Sequence, residues 1–266
     1  MKILVAVKQV AALDEDFEIR GDGRDIDPDF LIRDLNEWDD FSLEEAVKIK
    51  EAAAEPVEVV AVSVGPDTVD ESLRKCLAKG ADRAIRIWDS AIEGSDSIAI
   101  ARVLAAVAKR EAPHMLFAGV QSSDQSFAST GIATAALLDW PHAAVVSNLS
   151  YTPGAKTAVF RRELEGGLLH EVEIQCPAVL TIQLGINTPR YASLRSIKQA
   201  AAKPIEVLSL SDLNMDAGDV GEAGSLSRVR RMYLPDKGRA QIIEGDAAQQ
   251  AARLAEIIRE FKGDAA

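Results

Sequence analysis

Residues 58–80 read EVVAVSVGPDTVDESLRKCLAKG, and this stretch sets the expected fold. Glu58–Val64 is a short, β-branched apolar run of the kind that forms a strand buried on both faces. Gly65-Pro66 breaks it. Thr68 followed by Glu71 has the spacing of a capping box, Val69, Leu73, Cys76 and Leu77 fall on one helical face, and Gly80 supplies a C′ stop. The segment is therefore one strand–turn–helix unit. Working outward, Lys2–Val7 reads as another buried strand, and Ser42 with Glu45 as the start of a helix carrying Leu43, Ala46 and Val47 on one face. The spacing further predicts a strand over Ala84–Ile87, a helix over Ser97–Arg110, a strand over Met115–Val120 and a helix over Gly131–Leu138 ended by Trp140-Pro141. Alternation of this kind predicts an α/β fold with a mainly parallel sheet flanked by helices.

Other segments depart from that rhythm. Residues 14–29 are polar and include Gly21 and Gly23, which predicts a loop or short hairpin around Phe17–Arg20. Ala143–Leu149, Thr157–Arg162, Leu168–Ile174 and Val179–Leu184 read as strands separated by turn residues, a hairpin-rich addition to the sheet. Beyond Pro204 the core signal fades, and residues 214–227, rich in Gly, Asp and Ser, are expected to lack regular structure. An amphipathic helix is expected over Asp246–Phe261, with Ala247, Ala251, Leu254, Ile258 and Phe261 forming a stripe that needs its own chain or a partner to pack on. The expected division is an α/β nucleotide-binding domain over 1–207 and an extended C-terminal arm over 208–266.

Composition narrows the function classes. The 266 residues are 47% hydrophobic and 27% charged, ordinary for a globular chain with a sizeable core. No apolar run approaches the roughly 20 residues that span a bilayer, so the chain is not expected to be membrane-embedded. The N-terminus lacks a secretory design, and Cys76 and Cys176 lie far apart without a CxxC motif. A cytoplasmic setting is expected, without a structural metal. Thirty basic against 42 acidic residues leave a net charge of −12. Through residue 60 there are seven basic and seventeen acidic residues, a net of −10. No broad basic face for nucleic acid is visible.

Familiar catalytic motifs are absent: there is no GxGxxG after the first strand, no GxxxxGK[ST], no HExxH and no G-x-S-x-G. His114, His142 and His170 share no ligand-like spacing, so neither a catalytic triad nor a metal centre assembles. One constellation stands out. Residues 119–131, GVQSSDQSFASTG, lie between a strand and a helix, where open α/β sheets bind ligands. Backbone N–H groups at the start of that helix, with Ser129 and Thr130, suit a phosphate. Ser63-Val64-Gly65 ends another strand and Ala6 the first, and together they would line one crevice for a nucleotide. On the other reading, the hydroxyls only cap the helix. A second segment, Asn187–Arg195 (NTPRYASLR), has the composition of an exposed interaction loop. It reads equally well as a plain strand-to-helix connection with Leu194 in the core.

Many segments then match a known family in order: KILVAVK at the start, Leu35-Asn36-Glu37-Trp38 to Glu44-Glu45-Ala46, Ser63–Pro66 and Lys79–Arg83. The 119–131 loop followed by Leu138-Asp139-Trp140-Pro141, then Arg162–Gly167, and Asn187-x-Pro189-Arg190-Tyr191 complete the set. The chain closely resembles the beta subunit of electron transfer flavoprotein over nearly its whole length to about Val207, and looks most like bacterial members that accept electrons from trimethylamine dehydrogenase. The resemblance implies a Rossmann-like, adenine-nucleotide-binding fold and a heterodimer with an alpha subunit that holds most of the FAD. It implies a structural AMP in this chain, contacted by Ala6, Asn36, Glu37, Trp38, Asp39, Val64 and the run Gly119, Val120, Gln121, Ser122, Ser123, Asp124, Gln125, Ser126, Phe127, Ala128, Ser129 and Thr130. Leu13 stands where other members put an aromatic beside the flavin, which implies apolar contact there. Tyr191 and Leu194 fall in the family's partner-recognition loop, with Leu194 matching the leucine that anchors in the donor dehydrogenase.

The implied role is an electron carrier rather than an enzyme, passing electrons from a flavoprotein dehydrogenase to a membrane quinone oxidoreductase or an equivalent acceptor. An electron-bifurcating relative would hold a second FAD in place of AMP, but Phe127 and a missing glycine in the loop disfavour the larger group. A stand-alone nucleotide-binding protein of the universal-stress type shares the core. The arm and the Pro189–Leu194 loop speak against it.

Overall fold

Continuous β-branched runs suit strands covered on both faces, and that is how the central strands are used. The computed structural model describes residues 1–12, 17–27, 29, 31–235, 238 and 240–263. In chain order the strands are β1 (Lys2–Ala6), β2 (Gln9–Ala12), β3 (Ile32–Leu35), β4 (Glu58–Val64), β5 (Arg83–Ile87), β6 (Met115–Gly119), β7 (His142–Ser150), β8 (Thr157–Glu163), β9 (Leu169–Gln175), β10 (Ala178–Ile182) and β11 (Glu206–Leu208). The α-helices are α1 (Glu37–Ala52), α2 (Asp70–Lys79), α3 (Ser97–Glu111), α4 (Thr130–Leu138), α5 (Leu194–Ala202), α6 (Gly221–Gly224) and α7 (Ala247–Gly263).

Nine strands form one sheet in the order β11-β5-β4-β1-β6-β10-β7-β8-β9. Pairing is parallel from β11 through β7 and antiparallel from β7 to β9. The fold is thus α/β with a large, mostly parallel sheet. Alternation within β1 feeds two cores. Ile3 and Val5 pack with Leu43 and Val47 of α1 and Leu73 and Leu77 of α2. Leu4 and Ala6 pack on the opposite face with Val103, Leu104 and Val107 of α3. The chain lays β4 and β5 on one side of β1 using α1 and α2, then crosses by α3 on the other face to reach β6 on the far side of β1. The strand order therefore reverses between β1 and β6, and their carboxyl ends flank a crevice.

Several expectations are corrected. Val179–Leu184 is not part of the hairpin addition: β10 is a fully buried parallel strand between β6 and β7. Alternation and turn residues identify a strand but not its neighbours. The first helix starts at Glu37 rather than Ser42, whose hydroxyl instead donates back to the Trp38 carbonyl at 3.0 Å. Glu37, Asp39 and Asp40 in its first turn suit the positive end of the helix dipole. Gln9–Ala12 and Ile32–Leu35 form an antiparallel pair outside the main sheet, and an isolated bridge joins Ile19 to Ile26. Residues 217–219 and 221–224 are helical rather than irregular.

The chain divides into Met1–Arg231 and Met232–Ala266. The first unit runs past residue 207 because Leu208, Leu210, Leu213 and Val220 are buried in its second core. The second unit contains α7, whose Leu254, Ile258 and Phe261 are exposed. The two edges of the sheet are β11, only three residues long, and β9, which carries Glu171 and Glu173 among its seven residues.

Candidate functional site

The crevice is built from the ends of three adjacent strands and the first turn of α1. Ala6, Val64 and Gly119 end β1, β4 and β6 side by side. Two side chains of α1's start tie these walls together. Asn36 is buried; its amide donates to the Gln121 carbonyl at 2.9 Å and its oxygen accepts from Ser123 N–H at 3.2 Å. Asp39, also buried, accepts from Lys8 N–H at 2.7 Å through one oxygen and from Gly119 N–H at 2.9 Å through the other. Burial pushes the Asp39 carboxyl up to about 7, against the opposing pull of the Lys8, Gly119 and Asn36 hydrogen bonds. The Trp38 indole donates to the Gln183 side chain at 3.1 Å. Gly119 has no room for a side chain: a Cβ there would lie 2.5 Å from both Asp39 Oδ1 and Trp38 Cβ.

The loop that follows is shaped to present backbone. Ser126 and Ala128 both adopt left-handed conformations, φ 53° and 50°, which cost non-glycine residues of order 1–3 kcal/mol and persist where the surroundings enforce them. Ser129 stands at the N-cap of α4 but makes no capping hydrogen bond; its hydroxyl donates to Ser97 Oγ at 2.8 Å. The reading in which Ser129 merely caps the helix is therefore wrong. Among the described residues no side chain caps the first N–H groups of α4, the arrangement that suits an anion.

Lys8 adds a cation, with Nζ donating to Asp124 Oδ1 at 2.8 Å, Gln125 Oε1 at 3.1 Å and Ser122 Oγ at 3.3 Å. No sequence motif marks it. The available signal was a lysine two residues past the end of the first strand.

All the crevice residues expected from the sequence gather at this one end of the sheet, from Ala6 through Asn36, Glu37, Trp38, Asp39 and Val64 to Gly119–Thr130. They do different work. The polar groups of Asn36 and Asp39 hold the walls, while Glu37 and Phe127 are exposed. Leu13 lies outside the described residues.

The second segment, residues 187–195, follows β10 and is tied to the middle of α1. Asn187 donates to the Phe41 carbonyl at 3.0 Å and to Glu45 at 2.9 Å. Arg190 donates through Nε to Glu44 Oε2 at 2.8 Å and through Nη2 to Glu44 Oε1 at 3.0 Å and Glu51 Oε2 at 2.9 Å. Burial alone would raise the Glu44 carboxyl, but the Arg190 hydrogen bonds outweigh it and the net displacement is downward. Ser193 caps α5, accepting from Ser196 N–H at 3.1 Å. Tyr191 is 98% exposed and Leu194 82%, which excludes the reading with Leu194 in the core. No described helix is long and apolar enough to cross a membrane.

Comparison with known proteins agrees with this architecture. The family model described as "Electron transfer flavoprotein domain" matches residues 33–213. The chain is 71% identical over 263 residues to the electron transfer flavoprotein subunit beta of Methylophilus methylotrophus, covering 99% of this chain and 100% of that one. It is 38% identical over 216 residues to the mitochondrial subunit beta of Arabidopsis thaliana and 36% over 218 residues to that of Homo sapiens, covering 81% of this chain and 84% of each relative.

Proposed function

We propose, from the premise that this chain belongs to the electron transfer flavoprotein family as a beta subunit, that it binds AMP in the crevice and works as half of a heterodimeric electron carrier. The observation that supports an adenylate most directly is the set of uncapped N–H groups at the start of α4, beside a left-handed loop and the Lys8 ammonium. A negative phosphate needs such donors and a counter-charge. Backbone N–H groups of residues 120–130 and Lys8 would hold the phosphate, with Ala6 and Val64 as apolar walls. Asn36 and Asp39 fix the distance between those walls.

FAD, held mainly by an alpha subunit, supplies the redox chemistry when bound. This chain closes one side of the flavin and makes no covalent bonds to substrate. Tyr191 and Leu194 meet the donor, a flavoprotein dehydrogenase of the trimethylamine dehydrogenase kind, and a quinone oxidoreductase or equivalent takes the electrons onward. Residues 208–266 contain the arm that reaches the alpha subunit, and the setting is cytoplasmic.

Co-purification tests the reading. A second, alpha-type polypeptide should accompany this chain, and denaturing the complex should release one AMP and one FAD. The isolated chain should retain AMP and little flavin. Two FAD and no AMP would shift the assignment to the bifurcating type. A monomer that exchanges ATP reversibly would overturn the proposal.

A further inference from the structure

Tyr191, Leu194 and Ile197 are three exposed apolar side chains within seven residues, 98%, 82% and 48% accessible. An exposed apolar tip binds best when it is already ordered, since immobilising loose side chains subtracts from affinity. The base of this tip is held. Three hydrogen bonds join Arg190 to Glu44, counting the Arg190 backbone N–H to Glu44 Oε2 at 3.1 Å, or two with the side chain alone. A further pair reaches Glu51. The Glu44 side chain is 8% exposed, so this part of the fork is shielded from solvent, whereas the Glu51 side chain is 56% exposed. A guanidinium can engage two carboxylates with fixed geometry; an ammonium on a flexible stem cannot. Asn187 and the Ser193 cap hold the neighbouring backbone independently. Loss of the fork should therefore loosen the tip without unfolding the chain.

We infer that Arg190 is a positioning residue for partner docking, fixing Tyr191 and Leu194 in their presented geometry by its fork on α1 while touching no partner atom itself. The inference rests on the reading above in which the tip meets the donor. It separates from that reading through a double-mutant cycle. The holo complex is prepared as wild type, R190Q, R190K, L194A and R190Q/L194A, and its reduction by trimethylamine dehydrogenase is followed with the complex as the varied substrate.

L194A should raise KM tenfold or more. R190Q should raise KM about fivefold with kcat changed less than twofold, and R190K should recover only part of that loss. In the L194A background the R190Q effect on KM should fall below twofold. Equal R190Q effects in both backgrounds, full recovery by R190K, or a fall in kcat with KM unchanged would each overturn the inference while leaving the docking reading intact. L194A without any effect on KM would overturn the docking reading and the inference with it. AMP content and melting temperature serve as the check on folding. If R190Q does not assemble, R190K in both backgrounds carries the same cycle.

Discussion

The crevice and the apolar tip both hang on α1, yet they are held by opposite means. At the crevice the ties are buried and mostly involve the backbone: Asn36 and Asp39 bond to peptide groups of the β1 and β6 loops. At the tip the ties are charge-assisted and partly open to water, through Arg190 with Glu44 and Glu51. Buried hydrogen bonds between peptide groups and the Asn36 and Asp39 side chains give a rigid frame with little tolerance for change. Partly exposed ion pairs hold a segment firmly enough to present it at small cost to the fold if broken. The difference suits one region to permanent retention of a ligand and the other to brief encounters.

The sharpest way to break this contrast is at Gly119. In Gly119→Ala the added Cβ collides with Trp38 and Asp39. Overpacking at such a site typically costs about 1–3 kcal/mol. Thermal unfolding should show a loss near the upper end, and the purified protein should retain little nucleotide. A tolerated alanine would mean the crevice frame is softer than its hydrogen bonds imply.

Asp39→Asn comes next, because an amide cannot accept both N–H bonds as the carboxyl does; an unsatisfied buried donor costs about 1–3 kcal/mol. The sign of its pH dependence follows from the raised carboxyl. The folded value of about 7 lies above the ordinary 3.8, so Asp39's contribution is full below about pH 4 and is lost as pH rises through 7. The melting-temperature advantage of wild type over Asp39→Asn should therefore shrink between pH 4 and pH 8. An advantage that grows with pH would reverse the assignment of burial as the dominant cause.

Lys8→Met should weaken nucleotide retention by roughly fivefold, about 1 kcal/mol, since its ammonium is partly exposed. Equilibrium dialysis against AMP measures this, and unchanged affinity would move the counter-charge elsewhere. The smallest effect should come from Glu51→Gln, below about 0.5 kcal/mol in stability because the pair is open to solvent. A large effect there would erase the distinction between the buried and exposed halves of the Arg190 fork.

Much of this was readable from residues alone. Glu58–Val64 was bounded to the residue because Gly65-Pro66 ends a run that has no polar interruption but Ser63. The crevice loop was readable because strand ends in an open parallel sheet converge on one side. What stayed hidden were relations between distant segments. The position of β10 depends on which strand it pairs with, and no local pattern states that. The start of α1 is masked because Ser42 imitates a cap, while the true first turn is marked by acids at 37, 39 and 40. Lys8 carries no local signature because its importance arises from Ser122, Asp124 and Gln125, more than a hundred residues later. The role of Arg190 likewise needs α1, some 140 residues earlier.

The two unlike rims of the main sheet have a bearing on colloidal behaviour. An unpaired strand is a template for another chain, and natural sheets suppress such stacking by shortening the rim or charging it. Here β11 offers only three residues, too few to nucleate a stable addition, and β9 sets Glu171 and Glu173 in its otherwise available seven. Another strand adding along β9 would have to accommodate Glu173 and the Arg161–Glu171 ion pair, so fibrous self-association at high concentration is opposed at both ends of the sheet.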